Sequence, residues 1–121
     1  MTTPEIAHRL VELCRQPDYE TAQTELFSAH AISVEPEGSQ APHVTGRDAI
    51  MAKGKKFREM FEIHESKVSE PVIGGSFFSV AMALDVTPRA GGKRFSMEEI
   101  CVYEVRDGKI LREQFFHPVQ S

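Results

Sequence analysis

The chain has 121 residues, of which 40% are hydrophobic and 26% are charged, and its formal net charge is −4. This length is typical of one domain, which is expected to span residues 1–121. The composition is typical of a globular protein and excludes disorder of the whole chain. The acidic balance disfavours nucleic acid and anionic membranes as partners, because both need a concentrated basic surface.

Cysteine content and hydropathy predict a cytoplasmic location. The two cysteines, Cys14 and Cys101, are expected to be buried free thiols rather than a disulfide. The sequence has no apolar run of the roughly 18 residues that a membrane-spanning helix needs. Its first residues also lack the apolar stretch of a signal peptide.

The first two helices are predicted from their start signals. A hydroxyl at Thr2 followed by Pro4 and Glu5 begins the first helix, because each residue suits the amide end of a helix. Apolar residues then recur at three- and four-residue steps until Pro17. Asp18 caps a second, short helix, so two helices lead the chain.

A third helix is predicted from Arg47 to about Phe61, because Ile50 and Phe57 keep helical spacing with the residues between them. The other side of this helix is basic. We interpret its charges as a solvated helix face rather than a functional patch. The members of this cluster are Lys53, Lys55, Lys56 and Arg58.

Strands account for most of the remaining sequence. Residues 31–35 are predicted as a strand, 36–42 as a loop and 43–45 as a short extended piece. Long strands at 63–72 and 77–87 and a final hairpin follow, which predicts an antiparallel meander. In the strand at 77–87 the covered face comprises Phe78, Val80, Met82, Leu84 and Val86.

The register of the final hairpin follows from its turn. Asp107-Gly108 is the preferred centre of a two-residue type I′ turn, so Arg106 should pair with Lys109. If the last strand contains no bulge, the same count continues outward and gives three pairs on one face. These predicted pairs are Glu98 with His117, Ile100 with Phe115, and Val102 with Glu113.

Two short motifs resemble those of a known family. Residues 46–50 (GRDAI) begin the third helix, and residues 105–110 (VRDGKI) form the turn of the last hairpin. With the predicted order of elements, they resemble the SnoaL-like branch of the nuclear transport factor 2-like superfamily over almost the whole chain. The resemblance implies an α+β cone in which three N-terminal helices pack on a strongly curved antiparallel sheet. It also implies a pocket at the open end and a homodimer formed through the sheet.

This superfamily includes polyketide cyclases, ketosteroid isomerase, limonene epoxide hydrolase and dehydratases. Its enzymes often carry an acidic residue near the end of the last strand, in a motif resembling Tyr-Phe-Asp. This chain instead has Phe115-Phe116-His117-Pro118, which leaves an ionisable group but removes that carboxylate. One bulge here would turn Phe116 inward in place of Phe115 and His117.

The first catalytic hypothesis concerns His117 and Glu98. An imidazole exchanges protons near neutral pH, and a facing carboxylate favours its charged form, so this pair suits acid/base chemistry. The alternative is that His117 is a partly exposed histidine without a catalytic role, and that Glu98 only satisfies its hydrogen bonding. Glu99, on the other side of the strand, is expected to be exposed or at a dimer face, and Asp85 is expected to be a surface aspartate.

The second catalytic hypothesis concerns Glu113. It lies on the predicted inner face between Leu111 and Phe115, where burial would raise the pKa of its carboxyl into the range of a useful base. The alternative is a cross-strand partner of a surface base, either Lys109 or Arg106.

The sequence thus predicts an apolar pocket between the helices and the sheet that suits a small hydrophobic molecule. No cofactor or metal is expected, because the five histidines do not have the spacing of zinc ligands. The first functional hypothesis is a cofactor-independent lyase, isomerase or cyclase with a carbonyl-bearing substrate. The second is a non-catalytic ligand-binding or dimerisation module. The pocket-lining residues are expected to be Leu26, Phe57, Ile100, Val102 and Phe115.

Overall fold

The structure is a computed structural model that describes residues 1–39 and 43–119, so part of the loop predicted at 36–42 lies outside the described residues. The described chain forms three helices: α1 (Thr3–Arg15), α2 (Tyr19–Leu26) and α3 (Arg47–Met60). It also forms seven strands: β1 (Phe27–Val34), β2 (Val44–Thr45), β3 (Phe61–Val68), β4 (Val72–Gly74), β5 (Phe77–Pro88), β6 (Phe95–Arg106) and β7 (Lys109–Phe116).

The helices begin where the sequence predicts. The Thr2 hydroxyl accepts a hydrogen bond from the Glu5 amide, and the Glu5 carboxylate accepts one from the Thr2 amide, which forms a capping box for α1. Asp18 accepts a hydrogen bond from the Thr21 amide at the start of α2. Gly46 precedes α3 with a φ of 100°, a conformation that favours glycine.

The strands form one curved sheet in the order β2-β1-β7-β6-β5-β3, with β4 paired to β5. Strands β3, β5, β6 and β7 pair antiparallel, as predicted, but β1 pairs parallel to β7. The sheet is therefore mixed rather than wholly antiparallel. The difference arises because β1 and β7 are far apart in the chain, so no hairpin turn fixes their relative direction.

The core lies between the helices and the inner face of the sheet. The predicted inner face of β5 is confirmed, since Phe78, Val80, Met82 and Val86 are buried and Leu84 is partly buried. The helices cover this face with apolar side chains of α1 and α2, including Ile6, Leu10, Leu13, Cys14, Ala22 and Leu26. The α+β cone is thus confirmed, and both cysteines are buried free thiols.

The final hairpin has the predicted turn followed by a bulge. Asp107 and Gly108 have positive φ angles of 52° and 75°, and Arg106 pairs with Lys109, as expected for the predicted turn. Between Glu104 and Val105 the register then shifts, so that β7 contains one residue more than β6. Beyond the bulge the pairs are Glu104 with Arg112, Tyr103 with Glu113, Cys101 with Phe115, and Ile100 with Phe116.

All three predicted cross-strand pairs beyond the turn are therefore wrong, because a slip of one residue exchanges the two faces of a strand. Glu113 and Phe115 still lie on the inner face, but Glu98, Ile100 and Val102 lie on the outer face. Their neighbours Glu99, Cys101 and Tyr103 take the inner positions. Phe116 also faces outward.

Candidate functional site

Glu113 lies in the middle of the inner face of the sheet. Antiparallel pairing places it opposite Tyr103, and the parallel strand pair places it beside Ser33 of β1. Only 4% of Glu113 is exposed. Burial raises the pKa of its carboxyl to about 7, although the Ser33 hydroxyl and the Lys53 charge act in the opposite direction. Glu113 is therefore buried on the inner face, which is the placement that the second catalytic hypothesis describes.

Lys53 of α3 reaches into the same region. Its Nζ donates a hydrogen bond to Ser33 Oγ at 2.7 Å and another to Glu35 Oε1 at 3.1 Å. The ammonium also lies 5.4 Å from the centre of the Phe115 ring. The side chains of Lys53 and Glu35 are only 18% and 9% exposed, so this ion pair is shielded from water.

The partner of His117 is Glu35 rather than Glu98. His117 Nε2 lies 3.5 Å from Glu35 Oε2, whereas Glu98 is exposed on the outer face. The other ring nitrogen, Nδ1, lies 3.0 Å from the Pro118 carbonyl oxygen. Glu35 therefore stands between a lysine and a histidine, with one carboxylate oxygen near each.

Glu99 belongs to the same region, and the expectation that it is exposed or at a dimer face is wrong. The bulge turns it to the inner side, where burial and the negative charge of Glu35 raise the pKa of its carboxyl. His117, Cys101 and Lys53 partly offset this rise.

We call this set of side chains the inner polar cluster: Ser33, Glu35, Lys53, Glu99, Glu113 and His117. It contains three carboxyl groups but only one ammonium and one imidazole. Because the acids outnumber the bases in a poorly hydrated region, Glu99 and Glu113 hold their protons to higher pH than exposed glutamates. The cluster can therefore store and exchange protons near neutral pH.

The five predicted lining residues do not surround one pocket. Leu26 is part of the hydrophobic core, and the ring of Phe57 packs against that of Phe61 at a centroid distance of 4.9 Å. Ile100 and Val102 lie on the outer face because of the bulge. Only Phe115 contacts the inner polar cluster, through Lys53.

The outer face of the sheet carries a groove of about 670 Å³. It crosses β3, β5, β6 and β7, and two of the predicted site residues, Glu98 and Ile100, line it. Other lining residues include Lys67, Ala81, Ala83, Phe116 and Pro118, together with Glu99 of the inner polar cluster. We call this surface the outer groove. Asp85 also lies on the outer side, where Arg94 binds both of its carboxylate oxygens at 2.8 and 2.6 Å.

Sequence reasoning missed Ser33, Glu35 and Lys53, although periodicity offered a signal for each. Ala31 is buried, and Ser33 and Glu35 follow it at steps of two residues. In an extended chain all three therefore point to the same, covered side of the sheet. Lys53 follows the buried Ile50 by three residues, which places both on one helix face. The interpretation of the basic cluster as a solvated face holds for Lys55 and Lys56 but is wrong for Lys53.

Residues 1–39 and 43–119 contain neither a metal-binding cluster nor a membrane-spanning helix. No three histidine, cysteine, aspartate or glutamate side chains there lie close enough together to hold a metal ion. None of the described helices is both long and apolar enough to cross a membrane.

Comparison with known proteins shows the family. A protein from Mesorhizobium loti is 32% identical, with 97% of this chain and 100% of that chain covered at a TM-score of 0.90, and its name gives a SnoaL-like polyketide cyclase with carbohydrate phosphatase in brackets. A nuclear transport factor 2-like protein from Burkholderia thailandensis is 17% identical, with 98% and 92% covered at a TM-score of 0.84. A Catenulispora acidiphila protein with a ketosteroid isomerase-like fold, solved with trimethylamine, is 18% identical, with 100% and 90% covered at a TM-score of 0.77.

The last two similarities show the fold alone. No functionally curated protein sequence matches the chain. The family model of the SnoaL-like domain matches residues 1–117. The resemblance noted in the two short motifs is thus confirmed, and the chain belongs to the SnoaL-like family.

Proposed function

We propose that the chain is a cofactor-independent isomerase, lyase or cyclase that acts on a small hydrophobic carbonyl compound at the inner polar cluster. The observation that carries this proposal is the buried Glu113 carboxyl, whose pKa of about 7 makes it both a proton acceptor and a proton donor at neutral pH. The name of the Mesorhizobium loti relative, a polyketide cyclase, agrees with this class of reaction.

Glu113 would act first as the base. Its carboxylate removes a proton from the carbon next to the substrate carbonyl, and the electron pair of that C–H bond moves onto the carbonyl oxygen. In a β,γ-unsaturated ketone the resulting dienolate takes the proton back from Glu113 at the γ carbon, which completes an isomerisation. In a cyclisation the enolate carbon instead attacks a second carbonyl carbon of the same molecule, whose π electron pair moves onto its oxygen, and that oxygen takes the proton from Glu113. The Lys53 ammonium, 2.7 Å from Ser33 Oγ, supplies positive charge beside the base as negative charge develops.

His117 and Glu35 form the second proton-exchanging unit of this proposal. The imidazole can pass a proton at the edge of the cluster, and Glu35 orients it at 3.5 Å while also holding Lys53. Glu98 has no part in this mechanism, because it lies on the other face of the sheet.

The experiment starts from the ligand. Mass spectrometry of the purified protein identifies co-purified small molecules, and each is then incubated with wild-type protein and with Glu113→Gln. Conversion by the wild type and a loss of about 100-fold or more in the variant are expected for a general base. Unchanged recovery of every ligand with the wild type would contradict catalysis.

A non-catalytic ligand-binding module is the second candidate. The outer groove, about 670 Å³ in volume, favours it, because it can hold a small molecule and its lining includes the apolar side chains Ile100 and Phe116. In that case a co-purified ligand would be recovered unchanged, and its affinity would respond to Ile100 and Phe116 rather than to Glu113.

We further propose a homodimer formed through the outer face of the sheet. Ile100 and Phe116 pair on this face and are 45% and 48% exposed, so they form two adjacent apolar side chains that a second copy could cover. Lys67 and Glu98 flank Ala83 with opposite charges, so the face suits a second copy of itself.

A cytoplasmic location remains part of the proposal. The support for it is that Cys14 and Cys101 are both buried free thiols, as is usual in a reducing compartment.

A further inference from the structure

His117 lies between two residues of the outer groove. Phe116 and Pro118 line the groove, whereas the His117 side chain lies on the other side, with its Nε2 3.5 Å from Glu35 Oε2. Neighbouring residues of an extended chain face opposite sides, which explains this arrangement. Any contact that fixes Phe116 and Pro118 therefore also fixes the backbone that carries the imidazole.

The sheet itself restrains His117 weakly. Strand β7 ends at Phe116, whose cross-strand partner is Ile100 of β6. His117 follows this last pair of the two strands, and backbone beyond the end of a strand ladder opens at little cost in free energy. Its carboxylate partner Glu35 is fixed independently, because Lys53 binds it at 3.1 Å. The distance between imidazole and carboxylate therefore depends on how firmly the chain is held after β7.

The outer face offers such a contact to a second copy of the chain. Phe116 and Ile100 are each nearly half exposed, and the exposed apolar residues Phe77 and Val72 continue the same face beyond the groove. These four side chains come from four adjacent strands, β4 to β7, so the apolar surface is about 14 Å wide. A surface of this width suits another sheet better than one small molecule.

We infer that a second copy of the chain, by covering Phe116 and Pro118, holds His117 against Glu35, so that the inner polar cluster is complete only in the dimer. Phe116 is then a positioning residue, which contacts no reacting group and acts through the residue that follows it. The inference rests on the proposed dimer and on the role of His117 in the proposed function, but its test needs no substrate.

Nuclear magnetic resonance of the full chain with ¹³C-labelled imidazole rings measures the contact between His117 and Glu35. Glu35→Gln should shift the His117 ring signal in the wild-type background, because the carboxylate beside the ring is lost. In the monomeric Phe116→Asp background the same change should shift the signal by less than about half as much, since the contact is already loosened. Met60→Asp, at an exposed residue of α3, is the matched control and should retain the full shift.

Ala81→Arg separates loss of the dimer from a local effect of Phe116. Ala81 lines the groove on β5, two strands away from β7, where a second copy would have to desolvate the introduced charge. This variant leaves Phe116 intact, so a reduced effect of Glu35→Gln on the His117 signal reports the missing second copy. Light scattering verifies the mass of each variant. A full shift in monomeric Ala81→Arg would overturn the inference.

Dilution of the wild-type protein tests the inference without any substitution. Diethyl pyrocarbonate transfers an ethoxycarbonyl group to accessible imidazoles, and mass spectrometry gives the rate at each histidine. The rate at His117 should rise at least about threefold as the dimer dissociates, because the released ring opens to solvent more often. His8, exposed on α1, should react at a constant rate. A wild type that is monomeric at every concentration, or a constant rate at His117 across the transition, would overturn the inference.

Failure of this inference and failure of the proposed function give different results. If turnover of an identified substrate is lost in Glu113→Gln but is the same in monomer and dimer, catalysis stands and the positioning role fails. If the dimer holds His117 as described but every co-purified ligand is recovered unchanged by the wild type, the positioning role stands and the catalytic proposal fails.

Discussion

Ser33 of β1 and Glu113 of β7 occupy paired positions in the single parallel contact of the described sheet. The pairing buries the carboxyl beside a hydroxyl that Lys53 already binds. Glu113 thus combines deep burial with a nearby positive charge, and the balance of these two effects sets its proton affinity.

Replacement of Glu113 by Gln should change how stability depends on pH. The pKa of Glu113 is raised in the folded chain from 4.5 to about 7, so its protonated form favours folding. Its contribution is complete below about pH 4.5 and is lost as the pH rises through about 7, a difference of about 3 kcal/mol. Glu113→Gln should therefore gain stability relative to the wild type between pH 5 and pH 8.

Chemical denaturation at several pH values measures this difference. Glu98→Gln is the control, because Glu98 is exposed on the outer face. Parallel curves of stability against pH for the wild type and Glu113→Gln would show that the carboxyl is not buried as described.

Removal of the Lys53 charge should destabilise the fold. Lys53→Met leaves the Glu35 carboxylate, only 9% exposed, without its ammonium partner, and we expect a loss of about 2 kcal/mol in the free energy of unfolding. Lys55→Met, at an exposed position of the same helix, should change it by less than about 0.5 kcal/mol. Urea denaturation compares the two variants, and equal losses would contradict a shielded ion pair at Lys53.

Charge on the outer face should prevent dimer formation. Phe116→Asp and Ile100→Asp place carboxylates in the outer groove, where two copies would have to desolvate them, so each variant should be monomeric. Light scattering coupled to size-exclusion chromatography gives the mass. Met60→Asp, at an exposed residue of α3, should leave the wild-type mass unchanged. A monomeric wild type would refute the proposed dimer.

The partner of His117 can be tested by exchanging acids for amides. Glu35→Gln removes the carboxylate 3.5 Å from the imidazole and should reduce turnover of an identified substrate by about 10-fold or more. Glu98→Gln should leave turnover unchanged, because this residue faces away from the cluster. A larger effect of Glu98→Gln than of Glu35→Gln would contradict the assignment. Circular dichroism verifies that both variants fold.

The fold was predictable because its local signals are strong. The capping box at Thr2 and Glu5, the cap at Asp18 and the Asp107-Gly108 turn each depend on a few adjacent residues, and the structure contains all of them. The inner face of β5 was predictable for the same reason, since from Phe78 to Thr87 large apolar side chains alternate with small or polar ones.

The candidate site was only partly predictable, because it depends on contacts across the sheet. Ile110 and Leu111 are both apolar, so either could face the core. The sequence therefore does not show that a bulge lies between Ile110 and Arg112. The pairing of Ser33 with Glu113 joins residues 80 positions apart. Glu113 was found because its own strand alternates, whereas the partner acid of His117 required the parallel contact of β1.

The position of β7 in the sheet has a consequence for biosynthesis. It is the final strand of the described chain, yet it lies between β1 and β6 and carries Glu113. While the ribosome is still making the preceding hairpin turn, β1 and the meander have no strand to join them. The nascent chain therefore has two incomplete sheet edges until β7 can pair with both of them, and unpaired strand edges are prone to aggregate.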